Sequence, residues 1–147
     1  MDKPVFILNG PNLNLLGARE PEVYGHETLE DIRAACESRA KALGLTLAFR
    51  QTNSEAELIG WVHEARTEAR ALIINAGAFS HTSVALLDAL LALQVPVIEV
   101  HLSNIFRREA FRRHSYVSEA AKGVICGLGS AGYVLALEAL HRLGAKA

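Results

Sequence analysis

The stretch ALIINAGAFSHTSVALLDALLALQVPVIEVHL, residues 71–102, decides the fold. Its two ends, ALIINAG at 71–77 and PVIEVHL at 96–102, are short apolar runs rich in β-branched residues, which reads as strand and not as buried helix turns. Between them, near 82–94, apolar residues recur at helical spacing. Two strands joined through a helix run parallel, because the connection carries the chain back to its starting edge. The same alternation continues outward in both directions. PVFILNG (4–10), LTLAFRQ (45–51) and GVICGLG (123–129) predict three more strands, with helices near 28–43, 55–69 and 130–143 and a short helical piece near 107–113. Thr28 with Asp31 and Ser54 with Glu57 have the form of N-terminal capping pairs, and Gly44 and Gly144 suit the far ends of their helices.

Strand–helix alternation of this kind predicts an α/β three-layer sandwich: a parallel sheet with helices on both faces. Five strands in so short a chain suggest the flavodoxin-like order 2-1-3-4-5, in one domain spanning 1–147. Ligands of such sheets bind beyond the carboxyl ends of the strands, near the switch point beside strand one. That rule sorts the polar residues. Asn9, Asn12, Asn14, Arg19 and Tyr24 follow strand one; Asn75, Gly77, His81 and Ser83 follow strand three. Glu99 and His101 end strand four, with Ser103, Arg108 and Arg112 just beyond. Lys3 and Lys122 fall at the opposite edge.

Composition narrows the function. The chain has 147 residues, half of them hydrophobic, with a formal net charge of −1. That balance lacks the basic stripe of a nucleic-acid surface, although the arginines bunch in FRREAFRRHS and leave room for a small anion. The surplus of apolar residues hints at surface buried between subunits. MDKPVFILNG has no secretory pattern, and the longest apolar region, SVALLDALLALQVPVIEV, contains Asp88, Pro96 and Glu99, so no membrane span is expected. Cys36 and Cys126 lack metal-ligand spacing and read as reduced, cytosolic thiols.

Several chemistries find no support. None of the lysines is placed for a Schiff base, no metal-ligand cluster stands out, and neither a Walker A nor a GxGxxG motif follows strand one. Proton transfer by side chains remains. In EVH, 99–101, residues two apart on a strand share a face, so Glu99 can orient His101 and stabilise its imidazolium. The alternative is a satisfied core histidine beside a buried carboxylate; the position at a strand's carboxyl end favours a general acid. Tyr24 also has two readings. It is a packing or turn residue between Val23 and Gly25, or a base whose phenol is acidified by Arg19 and by Arg108 or Arg112.

ILNGPNLNLLGAREPEVYG, LIINAGAFSHTSVALLDAL, PVIEVHLSNIFRREAFRRHSYVS and GVICGLGSAGYVLALEAL together resemble type II 3-dehydroquinate dehydratase, in order and over nearly the whole chain. The resemblance implies a cofactor-independent, metal-free anti elimination of water from 3-dehydroquinate, through an enolate, to 3-dehydroshikimate. It also implies a place in the shikimate pathway or in quinate breakdown. Tyr24 would remove the C2 proton, with Arg19 keeping its phenol ionised; Asn12 would hold a water on the enolate. His101, oriented by Glu99, would protonate the departing hydroxyl. Asn75, His81 and Arg112 would grip the ring hydroxyls, Ser103 and the Leu102 and Ser103 amides the carboxylate, and Arg108 would add positive field. Asp88 would reach a neighbouring subunit's site in a trimer, four trimers forming a cytoplasmic dodecamer. Ala76, Phe79 and Leu87 depart from the family pattern, which has proline, usually tyrosine, and often arginine there. A flavodoxin-like binding or signalling module is the rival reading, but NGPNLNLLG is too long and poor in hydroxyls for a flavin phosphate loop. An inactive family member kept for assembly is a third.

Overall fold

The computed structural model describes residues 2–145, the side chains of Val23, Tyr24 and Ala145 excepted. Five parallel strands form one sheet: β1 (Val5–Asn9), β2 (Leu47–Gln51), β3 (Ala71–Asn75), β4 (Val97–His101) and β5 (Gly123–Cys126), in the order β2-β1-β3-β4-β5. This is the order the alternation predicts. Every residue of β1, β3 and β4 is buried, as strands covered on both faces must be, whereas β2 and β5 are the half-covered edges.

Alternate residues of β1 separate the two cores. Val5 and Ile7 pack with α2 (Leu29–Ala42) and α5 (Ala131–Ala145), through Ile32, Cys36, Tyr133 and Leu137. Phe6 and Leu8 pack on the other face with α3 (Glu55–Glu68) and α4 (Val84–Leu91), through Leu58, Val62, Leu86 and Leu90. A one-turn helix, α1 (Pro21–Tyr24), interrupts the long connection after β1; the sequence reading has only a loop there, and Pro21 in the first turn presets its backbone.

Caps set the helix starts. At α2 the Thr28 side chain accepts from the Asp31 amide (3.1 Å) while Asp31 accepts from the Thr28 amide (3.0 Å), a complete capping box. At α3 only half of the box forms. Ser54 accepts from the Glu57 amide, but the Glu57 carboxylate is taken by the Thr52 hydroxyl at 2.5 Å. Ser83 caps α4 and shortens it at its start relative to the predicted 82–94. Gly44 follows α2 in the left-handed conformation (φ 73°), as a helix stop should.

Two expectations are corrected. Gly144 does not end α5, which continues to Ala145; Leu140 and Leu143 pack on the core and outweigh the modest helix penalty of one glycine. The helical piece near 107–113 is instead two single 3₁₀ turns, Ile105–Arg107 and Ala110–Arg112, with Arg108 and Glu109 extended between them. A continuous helix would stack Arg108 on Arg112 one turn apart, a like-charge pair.

Candidate active site

Asn9 and Asn75 end β1 and β3 side by side in register, and His101 ends β4, so the three central strands deliver polar groups to one edge. Beyond them lies a cleft lined by Asn12, Arg19, Asn75, His81, His101, Leu102, Ser103, Arg108 and Arg112, with Pro11, Leu13, Leu16 and Ile105 as apolar wall. A larger groove of about 800 Å³ opens at the other strand ends. Among the described residues its charged lining is Asp2, Lys3, Arg70 and Lys122, with no histidine, so the density of proton-transfer groups and not size singles out the cleft at the carboxyl ends of the strands.

The acid–base centre is on β4. Glu99 is fully buried and His101 is 5% exposed; His101 Nε2 donates to Glu99 Oε2 at 2.5 Å. The Ser115 hydroxyl donates to the same oxygen at 2.6 Å, and the Ser118 hydroxyl to Oε1. Burial alone would push the ionisation of Glu99 to higher pH, but the bonds and charge of His101 and the two hydroxyls prevail and hold it below the usual carboxylate range. With Nε2 held by Glu99, Nδ1 is the ring atom left for a ligand.

His81 stacks on His101, ring centroids 6.3 Å apart at 18°. Its Nδ1–H donates to the His114 carbonyl (2.8 Å), which leaves Nε2 an acceptor. Burial, opposed by that bond and reinforced by His101 and Arg112, keeps its ionisation below the ordinary histidine range, so it is neutral near pH 7.

Arg108 donates to Ser103 Oγ (3.4 Å) and Arg112 to exposed Glu109 (2.9 Å). Both guanidiniums border the cleft, an electropositive setting for a small carboxylate. Asn12 is left-handed (φ 70°), which asparagine tolerates better than most residues, and its amide donates to Asn53 Oδ1 at 2.9 Å. Gln51 Nε2 donates to the Gly10 carbonyl (3.1 Å) and to Asn53 Oδ1 (3.2 Å), tying the root of the first connection to the end of β2.

Arg19 lies at the cleft and is 3.0 Å from the Glu20 carboxylate. Tyr24 closes α1, but its side chain lies outside the described residues. Asp88 is apart from the cleft, exposed on α4. Sequence reasoning overlooked Ser115, Ser118, Tyr133, Gln51 and Asn53. Only a buried acid's need for donors signals the serines, and no period marks them.

The family model described as Dehydroquinase class II matches residues 3–141. The chain belongs to the class II dehydroquinases. Among curated members, it is 60% identical over 139 residues to the 3-dehydroquinate dehydratase of Phenylobacterium zucineum, covering 95% of this chain and 96% of that one. It is 61% identical over 137 residues to 3-dehydroquinate dehydratase 2 of Agrobacterium fabrum, covering 93% of each. The crystal structure of type II dehydroquinase from Propionibacterium acnes superposes with a TM-score of 0.92 at 47% identity, over 97% of this chain and 98% of that one. Within this class II dehydroquinase, Ala76 has φ −77°, a backbone that proline also adopts, and Phe79 packs against the α3/α4 core. Leu87 is half-buried on α4.

Proposed function

We propose that this chain is a hydro-lyase that converts 3-dehydroquinate to 3-dehydroshikimate, the whole of 1–147 acting as one dehydroquinase domain. The observation that carries this is the buried Glu99–His101 pair at the end of β4, opening on an arginine-lined cleft in a member of that family.

The chemistry follows from the groups present. A proton beside a ketone becomes acidic because the electron pair left at C2 is taken up as an enolate. Tyr24, as phenolate beside the Arg19 charge, accepts that C2 proton, and a water held by Asn12 stabilises the enolate oxygen. The enolate re-forms the ketone as its electrons make the C1–C2 double bond and expel the C1 hydroxyl. His101 gives its Nδ1 proton to that hydroxyl, which departs as water. Proton exchange with solvent then restores phenolate and imidazolium. The substrate's own carbonyl is the electron sink, so the reaction calls on no metal or cofactor.

Asn75, neutral His81 and Arg112 take the ring hydroxyls; Ser103 with the Leu102 and Ser103 amides takes the carboxylate; Arg108 adds positive field. Asp88 completes the site of a neighbouring subunit in a trimer, and four trimers form a cytoplasmic dodecamer. The pathway is aromatic biosynthesis or quinate breakdown. The test is direct. Purified protein with 3-dehydroquinate should give the conjugated enone, read by ultraviolet absorbance, unaffected by chelator. Tyr24→Phe should lower kcat by roughly 10²–10⁴-fold, the usual worth of a positioned base, with little change in KM. Near-parental kcat in that variant would reject the base.

A further inference from the structure

A carboxylate with no water access must have its charge answered by fixed donors. Glu99 meets this with one imidazole and two hydroxyls, and the hydroxyls come from a different part of the chain. Ser115 and Ser118 lie on the strap that follows the second 3₁₀ turn, sixteen and nineteen residues from Glu99. The strap is held independently of its serines: Val117 is fully buried in the α3/α4 core, and the Tyr116 amide donates to the Ser80 carbonyl at 2.8 Å. The hydroxyls are therefore delivered by a packed backbone. We propose that Ser115 and Ser118 are positioning residues for the acid, holding Glu99 as a carboxylate so that His101 stays protonated and aimed at the leaving hydroxyl. This rests on the reading of His101 as proton donor.

The pair shares one mobile proton between Nε2 and the carboxylate. With both hydroxyls in place the proton sits on the imidazole, and the imidazolium is an effective acid through Nδ1. Without them the carboxylate becomes more basic and the proton slides across to it. His101 is then a neutral ring, a poor donor, although the pair's total charge is unchanged. The other groups around the pair are His81 stacked on His101, Arg19, Arg108 and Arg112 bordering the cleft, and Cys126 in register with His101 on β5. The same strap fixes His81 through the His114 carbonyl and starts directly after Arg112 at the cleft, so one segment backs both histidines.

The test uses the full chain and the variants Ser115→Ala, Ser118→Ala, the double alanine variant and Ser118→Thr. Losing both hydroxyls should lower kcat roughly 10- to 100-fold and move the alkaline limb of its pH profile up by about one unit or more, since a bond to a charged acceptor is worth about that much. The limb moves up because a more basic Glu99 holds the pair's shared proton to a higher pH. KM should change little, and Ser118→Thr should restore both values. Infrared spectra give a readout independent of turnover. A protonated-carboxyl band, assigned by its loss in Glu99→Gln, should appear in the double variant at a pH where the parent lacks it. Parental kcat with a parental limb overturns the proposal, and so does slow turnover with limb and band unmoved, which marks a structural role alone. Should the double variant not fold, half-buried Ser118 carries the test, Ser118→Ala against Ser118→Thr. A parent inert toward 3-dehydroquinate whose double variant still gains the band defeats the assigned reaction and leaves the clamp standing.

Discussion

Asn75 owes its orientation to a tyrosine that never reaches the cleft. Tyr133, fully buried on α5, donates its hydroxyl to Asn9 Oδ1 at 2.6 Å and accepts from Asn75 Nδ2 at 2.9 Å. Asn9 Nδ2 then donates to the Arg50 carbonyl, and Asn75 Oδ1 accepts from the Gly77 amide. Burial pushes Tyr133 ionisation up, the Asn75 bond notwithstanding, so the hydroxyl remains a donor across the working pH range. Tyr133→Phe should destabilise the fold by about 1–3 kcal/mol, because two buried amides lose a partner. Freed to rotate, Asn75 should also raise KM more than it lowers kcat; denaturant unfolding and steady-state kinetics check the two halves separately. The contrast with Glu99 and His101 is instructive. That pair is legible because residues two apart on a strand must share a face, a purely local rule. Tyr133 meets Asn75 across 58 residues, Ser118 meets Glu99 across 19, and nothing local encodes which polar tips meet between layers.

Among the elements, the sheet was readable because each strand is a compact apolar run whose central members are buried on both faces, and strand ends differ from the prediction by at most three residues. The polar strap after β4 was not, because its 3₁₀ turns have no apolar period and its shape depends on arginine spacing and on contacts with distant residues. Glycine gives a sharper test of the element scale. At Gly10, where β1 hands over to the first connection, a Cβ would sit 2.3 Å from the Ala76 carbonyl oxygen just past β3. Both neighbours are backbone, so the strand ends must part. Gly10→Ala should cost about 2–3 kcal/mol or more and lower kcat with it, as Asn12 and Asn75 are pulled out of alignment. Gly60, in the middle of α3, has nothing within 4 Å of an added Cβ, and Gly60→Ala should stabilise by about 0.5–1 kcal/mol at unchanged kcat. Thermal unfolding of the two variants side by side measures the difference, and equal shifts would refute the close-approach argument.

At the scale of the whole molecule, the distribution of exposed apolar surface bears on Asp88. Val84, Asp88 and Leu91 fall at i, i+4 and i+7 on α4, a single stripe in which the valine and leucine are 50% and 59% exposed. Exposed leucine at that level is unremarkable alone, but a carboxylate framed by it on a helix next to the candidate site fits a surface covered by another copy of the chain. The half-hydrophobic composition of the full sequence points the same way. If Asp88 serves the neighbour's cleft, then Tyr24→Phe and Asp88→Ala break the same site from opposite subunits. Each variant alone should assemble normally and turn over 3-dehydroquinate very slowly. Dissociated, mixed in equal amounts and reassembled, they should recover about a quarter of the parent's activity, since a random ring joins an intact Tyr24 to an intact neighbouring Asp88 at about one site in four. Recovery should vanish when the variants are mixed without dissociation, which separates exchange of subunits from assay error. Reassembled mixtures that remain inactive, with oligomers of parental size by sedimentation, would confine Asp88 to its own subunit and leave the stripe on α4 to some other contact.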